Sequence, residues 1–265
     1  MTEILLVRHA ETDWNAEGRW QGQSDVGLSA KGRAEVATVA ARLAGERFDR
    51  IVSSDLSRAA DTARGIAAGR PVELEPALRE MHLGRWCGLL HSEVVLRYPD
   101  ELRALQNAEN VRIGGDGETV LELAARVTAA VTRLARETPG GRVLVVTHGG
   151  VVRALLLDLL ALSGRTRPLF GARNTALTRL DLDDASGEGR LVFYNDARHL
   201  APEPLAGEEV VLGPDARTHV TSLLGLERPD RLAPPIARSE TRTVPGKQQL
   251  VSYAVPLDTA PERSR

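Results

Sequence analysis

Two histidines in this chain stand where a short apolar run stops. Ile4-Leu5-Leu6-Val7 ends in Arg8-His9, and Val143-Leu144-Val145-Val146-Thr147 ends in His148-Gly149-Gly150. Runs this short and this apolar read as buried parallel strands. The C-terminal edge of such strands is where open α/β sheets bind ligands. A third run, Asp49 to Arg58, reads as strand, cap and helix start, with Ser54 or Asp55 as the N-cap and Arg58 in the first helical turn. Gly149-Gly150 leads into an apolar helix, Val151 to Leu162, whose free N–H groups face the same rim and favour an anion. A lone Arg-His pair is usually a solvated surface pair. Two arginines, two histidines and a helix N-terminus together make a pocket for a dianion such as a phosphate group. Arg grips phosphate oxygens as a fork, which Lys does not.

The wider pattern resembles a known family. Arg8-His9-Ala10-Glu11-Thr12 with Trp14-Asn15, then Gln21-Gly22 and Asp25, Leu28-Ser29 and Lys31-Gly32, look like the opening of the histidine phosphatase superfamily, also called the phosphoglycerate mutase-like family. Ser53-Ser54-Asp55-Leu56-Ser57-Arg58-Ala59 with Thr62-Ala63, Arg79-Glu80 with Leu83-Gly84 and Trp86, and Val146-Thr147-His148-Gly149-Gly150 follow in the family's order. The resemblance spans residues 1–195. It implies that His9 is a nucleophile that takes a phosphoryl group, that Arg8, Arg58 and His148 hold its oxygens, and that Glu80 donates a proton to the leaving group. It also implies that Asn15, Gln21, Gly22, Gly149 and Asn174 lie on the substrate side. Two positions depart from the family's pattern. Ala10 replaces the usual Gly after the nucleophile, and Cys87 replaces an acidic residue common after the Trp in the phosphatase branch.

The chemistry this implies is hydrolysis of a small phosphorylated metabolite through a phosphohistidine, without metal or cofactor. His9 and His148 as metal ligands would want several Asp or Glu beside them, whereas Arg8 and Arg58 repel a cation. Phosphoglycerate mutase is the alternative. Mutases of the family carry a larger insertion between the general acid and the second histidine, and a mutase needs a lid to keep water off its phosphohistidine. The chain between Glu80 and His148 leaves little room for one. A binding module that only holds a phosphorylated ligand would not call for both nucleophile and acid.

The elements that must carry these residues alternate, strand with helix. The resemblance and this alternation point to an α/β three-layer sandwich, a mostly parallel central sheet with helices on both faces. Residues 10–28 form a long polar loop with Trp14, an anchor, and Trp20, a candidate substrate contact. Ser29 opens a helix to about Gly45 with Val36, Val39, Ala40 and Leu43 on its core face. Strand 49–53, helix 56–68 with Leu56, Ala59, Ala60, Ala63 and Ile66 inward, and a short strand at 71–74 follow. Residues 76–90 have no clean period, and 91–110 read as helical. Thr119 and Glu122 form a capping box for a helix with Val120, Leu123, Val127, Val131 and Leu134 on one face. Residues 173–182 and 190–194 read as a hairpin. His82 and His91 have no such context and are assigned no function.

Composition sets the class. The 265 residues are 42% hydrophobic but only 3% aromatic, so the core is mainly Leu, Val and Ala. The net charge is −2 with both signs interspersed, which speaks against a nucleic-acid surface. Cys87 is the single cysteine, so no intrachain disulfide forms. No basic leader and no segment long enough to span a bilayer stand out, and a soluble cytoplasmic protein without a membrane partner is expected. The reading leaves room for a homodimer. Nine of the 14 prolines lie after residue 200. The expected division is therefore a catalytic domain over 1–200 and a Pro-rich extension over 201–265, with strands at 209–212 and 250–255 and a helical turn or two at 218–225.

Overall fold

Six strands pair along the apolar runs read above. The computed structural model describes residues 1–106, 109–159 and 171–200, and the backbone of 239–244 and 247–254. The strands are β1 (Thr2–Arg8), β2 (Arg50–Ser53), β3 (Glu73–Leu74), β4 (Arg142–Thr147), β5 (Leu177–Leu182) and β6 (Gly189–Asp196). Their order across the sheet is β3-β2-β4-β1-β5-β6. The β1–β4, β4–β2 and β2–β3 pairs are parallel, while β5 runs antiparallel to β1 and to β6.

Seven helices accompany the described part of this sheet: α1 (Asp13–Ala16), α2 (Ala30–Leu43), α3 (Ser57–Ala67), α4 (His91–Arg97), α5 (Pro99–Gln106), α6 (Val120–Glu137) and α7 (Gly149–Leu159). Side chains alternate across the central strands, as the pleat requires. Ile4, Leu6, Val143 and Val145 enter one core with the α6 and α7 residues Leu123, Val127, Val131 and Leu155. Leu5, Val7, Leu144 and Val146 enter a second core with Val39 and Leu43 of α2 and Ala59, Ala63 and Ile66 of α3. Both faces of the sheet are thus covered, and β1 and β4 are apolar throughout for that reason. Fully burying each such aliphatic side chain contributes about 1.5–3 kcal/mol.

Three local expectations are corrected. The stretch 91–110 is broken: α4 ends at Arg97, Tyr98 leaves helical geometry, and α5 begins at Pro99, whose ring has no N–H to continue the first helix. Neither Ser54 nor Asp55 caps α3. The N-cap is Leu56, with no side-chain cap bond, and the Ser57 N–H is taken by Asp25 Oδ1 at 2.7 Å. The loop 10–28 also contains α1, closed by a reciprocal Thr12–Asn15 capping box that the sequence reading passed over. The last residues expected in α7, 160–162, lie outside the described residues.

The chain divides into two compact units, 1–204 and 205–265. In the second, β7 (Ser239–Val244) pairs antiparallel with β8 (Lys247–Ala254), which takes in most of the strand expected at 250–255. The segments expected at 209–212 and 218–225 lie outside the described residues. Among the described residues, no helix is long and apolar enough to cross a membrane.

The start of α2 is stitched to the segment that follows His9. Glu11 N–H donates to Glu35 Oε2 at 2.9 Å, and Glu11 O accepts from Ser29 N–H at 2.9 Å. A Cβ on Gly32 would stand 2.0 Å from that same carbonyl oxygen. Gly32→Ala is therefore expected to cost about 1–3 kcal/mol through forced backbone movement. Gly45→Ala, with open space at its Cβ, should stay within about 0.5 kcal/mol. Urea denaturation of the two variants checks the contrast, and equal midpoints would refute it.

Candidate active site

The register of the sheet brings the two histidines together. Arg8 pairs with Thr147 at the end of the β1–β4 ladder, so His9 and His148 leave adjacent strands side by side. Their ring centroids are 5.1 Å apart. Both are buried. His9 Nδ1 donates to Ala10 O at 2.7 Å, because a carbonyl oxygen can only accept. That bond fixes the tautomer and leaves the Nε2 lone pair free. Burial first, then the charges of Arg58 and Arg8, push the His9 pKa well below 6.5 and keep the ring neutral.

His148 is fully buried and likewise pushed far down, by burial and then by Arg58. Its Nε2 lies 2.8 Å from Ser54 Oγ. That hydroxyl accepts from Leu56 N–H at 3.3 Å and has its own proton to give to Nε2. Nδ1 then carries the remaining hydrogen, and it has no partner. Ser54 thus orients a histidine where the sequence reading made it a helix cap.

Backbone carbonyls hold the arginines in place of carboxylates. Arg58 is fully buried on the first turn of α3, with Nη1 donating to Ser24 O and Nη2 to Gly22 O, both at 2.7 Å. Gly22 presents its carbonyl from the left-handed region, φ +52°, where glycine is at ease. Arg8 Nη1 donates to Ala172 O. Burial, with Arg153 nearby, lowers the Arg8 pKa to about 10. The Nε atoms of Arg8 and Arg58 are buried and unpartnered. With His148 Nδ1, three unpaired nitrogens gather beside His9, and buried donors are seldom left so.

Glu80 approaches from the irregular segment. Its Oε2 accepts from Gly150 N–H at 3.0 Å and its Oε1 from Met81 N–H at 2.8 Å. A Cβ on Gly150 would fall 2.1 Å from Oε1, so this close approach requires glycine. The segment is held from α6. Arg126 donates to Ala77 O at 2.8 Å and Arg79 O at 3.0 Å, and pairs with Glu118 at 2.8 Å. Glu118 in turn accepts from His82 N–H at 2.8 Å. The sequence reading missed this clamp, since an Arg and a Glu eight residues apart look like an ordinary surface pair.

A cavity of about 220 Å³ opens over these groups, lined by Arg8, His9, Asn15, Gln21, Gly22, Arg58 and Glu80 among others. Trp20 lines it too, and meets Trp86 edge-on with centroids 5.4 Å apart. Trp14 instead packs toward Gly88. Three further expected site residues adjoin the groups that line the cavity. His148 lies against His9, and Asn174 Nδ2 donates to His9 O at 2.9 Å. Gly149 opens α7, where a Cβ would come 3.3 Å from Arg8 Nε. Cys87 does not line the cavity. Its thiol donates to Gln21 O at 2.9 Å and so braces the loop carrying Gln21 and Gly22. His82 and His91 are exposed. Among the described residues, no group of three or more His, Cys, Asp or Glu could hold a metal ion.

The profile of the histidine phosphatase superfamily (branch 1) matches residues 4–197. The chain belongs to this superfamily. Histidine phosphatase relatives include phosphoglycerate mutase-like protein 4 of Arabidopsis thaliana, 44% identical over 158 residues, covering 58% of this chain and 69% of the relative. A metal-independent phosphoserine phosphatase of the same plant is 40% identical over 184 residues, 68% of this chain and 77% of that one. Among solved structures, a mycobacterial glucosyl-3-phosphoglycerate phosphatase in complex with VO3 is similar with a TM-score of 0.67 and 34% identity. The match covers 74% of this histidine phosphatase and 99% of that chain. Phosphatases thus stand beside mutase-like proteins among its relatives, and the fold is the histidine phosphatase fold.

The buried neutral histidines make folding pH-dependent in a defined window. Their folded pKa values lie below the unfolded value, so an unfolded chain takes up protons first as the pH falls. This share of the stability is complete above about pH 6.5 and is lost progressively below it. The paired carboxylates, whose pKa values are lowered, come into play only nearer pH 4 and below, about where free carboxyls titrate. Thermal melts of the ligand-free protein should show Tm falling between those values. The double variant His9→Gln/His148→Gln should flatten that fall, leaving the share of His199, whose pKa burial also lowers. An unchanged slope would contradict the buried-neutral reading.

Proposed function

We propose that the protein hydrolyses small phosphomonoesters, without a metal, through a phosphohistidine on His9. The observation that carries this reading is the set of three unpartnered buried nitrogens, on Arg8, Arg58 and His148, around a neutral imidazole of fixed tautomer. They answer the oxygens of a phosphoryl group set in line with His9 Nε2. Positioning and charge stabilisation of that kind supply most of the rate in phosphoryl transfer.

The Nε2 lone pair forms the N–P bond as the ester P–O bond breaks, and the leaving oxygen takes the proton of Glu80. The Glu80 carboxylate then removes a proton from water, whose oxygen attacks phosphorus as the P–N bond breaks. Neutral imidazole and protonated Glu80 return, and inorganic phosphate leaves. Arg8 and Arg58 beside the nucleophile would repel a divalent cation, which supports a metal-free path. All residues of this scheme precede position 200, and we take 1–200 as the catalytic unit.

Hydrolysis is favoured over mutation of the phosphate's position by how the chain between Glu80 and His148 is spent. It goes into a 3₁₀ turn at Gly84–Trp86, then α4, α5, α6 and β4. A lid over the phosphohistidine would need further chain.

Brief exposure to a labelled phosphomonoester should leave an acid-labile, base-stable label, absent in His9→Ala, with turnover down by about three orders of magnitude or more. Full activity in that variant ends the proposal. Hydrolysis of p-nitrophenyl phosphate should survive EDTA and be blocked by vanadate; loss in EDTA with rescue by Mg²⁺ or Zn²⁺ would refute the metal-free path. With 3-phosphoglycerate and a trace of 2,3-bisphosphoglycerate, free phosphate should form faster than 2-phosphoglycerate. Interconversion about a hundredfold faster than release would reassign the protein as a mutase.

A further inference from the structure

The cavity carries one arginine that neither the proposed phosphoryl-binding set nor a neighbouring carboxylate among the described residues accounts for. Its walls carry Arg8, Arg19, Arg58 and Arg153 against the single carboxylate of Glu80. Arg19 is already engaged, by Glu17 at 2.5 Å and Gly88 O at 3.0 Å. Arg8 and Arg58 belong to the proposed phosphoryl-binding set, and their charges act on His9. Arg153, in the second turn of α7, is half-buried and has no hydrogen-bond or ion-pair partner among the described residues. Its charge presses on Arg8. The walls near it are apolar, including Ala154, Leu157, Leu123 and Leu83. Charges in such surroundings act more strongly than in water, and a half-buried cation without a partner is costly. The cavity, about 220 Å³, also exceeds what a phosphate group fills, at ~30 Å³ for each water it replaces.

We propose that the leaving group of the natural substrate carries a second anionic group, a carboxylate or a second phosphate, which Arg153 receives, on a body apolar enough to pack against Trp20, Met81 and Leu83. Arg153 is then the residue that selects among phosphomonoesters. The inference rests on the phosphatase reading above.

Three esters of matched shape test it: para-carboxyphenyl phosphate, its methyl ester and hydroquinone bisphosphate. The readout is kcat/KM for each anionic ester relative to the neutral methyl ester, in the wild type and in Arg153→Gln. Dividing the wild-type ratio by the variant ratio removes the intrinsic reactivity of the esters. That quotient should be about tenfold or more for at least one anion, the size of a charge-assisted hydrogen bond. Which anion shows it tells carboxylate from phosphate. Arg153→Lys, which keeps the charge, should retain part of the preference, and a folding defect would not produce that pattern. A quotient near one for both anions overturns the inference while the phosphatase reading stands. Failure of the wild type to hydrolyse any of the three, with no label on His9, removes both.

Discussion

Concentrated positive charge, with Glu80 the single carboxylate on the cavity wall, is the constraint around which this site is built. Arg8, Arg58, His9 and His148 crowd the end of two adjacent strands, and among the described residues no carboxylate is hydrogen-bonded to either arginine there. The chain instead stabilises them with fixed dipoles. Arg58 is fully buried, a placement that costs several kcal/mol for an unsatisfied ion. It is held by the carbonyls of Gly22 and Ser24. Arg8 is held by the carbonyl of Ala172, and the histidines are kept neutral. Carbonyl oxygens satisfy the N–H groups without cancelling the charge. The polar loop after His9 is long because it must present those carbonyls, with Asp25 ending at the first N–H of α3.

Glu80, the proposed acid, is placed differently. Glu80 lies on a segment of 3₁₀ turns with little internal hydrogen bonding, so its position is imposed from outside. Arg126 and Glu118 take four backbone groups of that segment, at Ala77, Arg79, Glu80 and His82. The first turn of α7 supplies the Gly150 N–H. One helix therefore orients the acid and also follows directly from His148, which couples the two halves of the proposed chemistry through a single rigid element. The missing side chain at Gly150 is what permits the coupling, since any Cβ there would occupy the place of Oε1.

How much of this could be read beforehand depends on the range of the interaction. The β1 and β4 runs were legible, because burial on both faces makes a strand apolar throughout, and the register of their ends followed. His9, Arg58, Glu80 and His148 were legible through local motifs. The capping of α3 was not, because its partner Asp25 lies in a distant loop. A rule for local caps chose Ser54 and Asp55, which serve instead His148 and Arg79. Pro99 was in plain view, but helical periodicity continues through it and hid the break. Arg153 and Arg126 gave no signal at all. Each sits at a helical position where a charged residue is ordinary, and only the folded geometry shows what it faces.

The division of labour along the cavity follows from these origins. Its phosphoryl end is made by strand ends and first helical turns, whose geometry the central sheet dictates. Its other end is walled by Trp20 from a loop, Met81 and Leu83 from the 3₁₀ segment, Ile113 from the turn before α6, and Leu123 from α6. Those segments pack on the core but carry no strand register, and Leu83 lies against Gly22, whose carbonyl holds Arg58. In the proposed scheme, chemistry and selectivity reside on different parts of the chain, joined through α7. That helix contributes Gly150 to the acid and Arg153 to the far wall within one turn. In that scheme a substitution on α7 alters both which ester is chosen and how Glu80 is held, while one at Leu123 or Ile113 also reaches the core that Ile4 and Leu6 of β1 share.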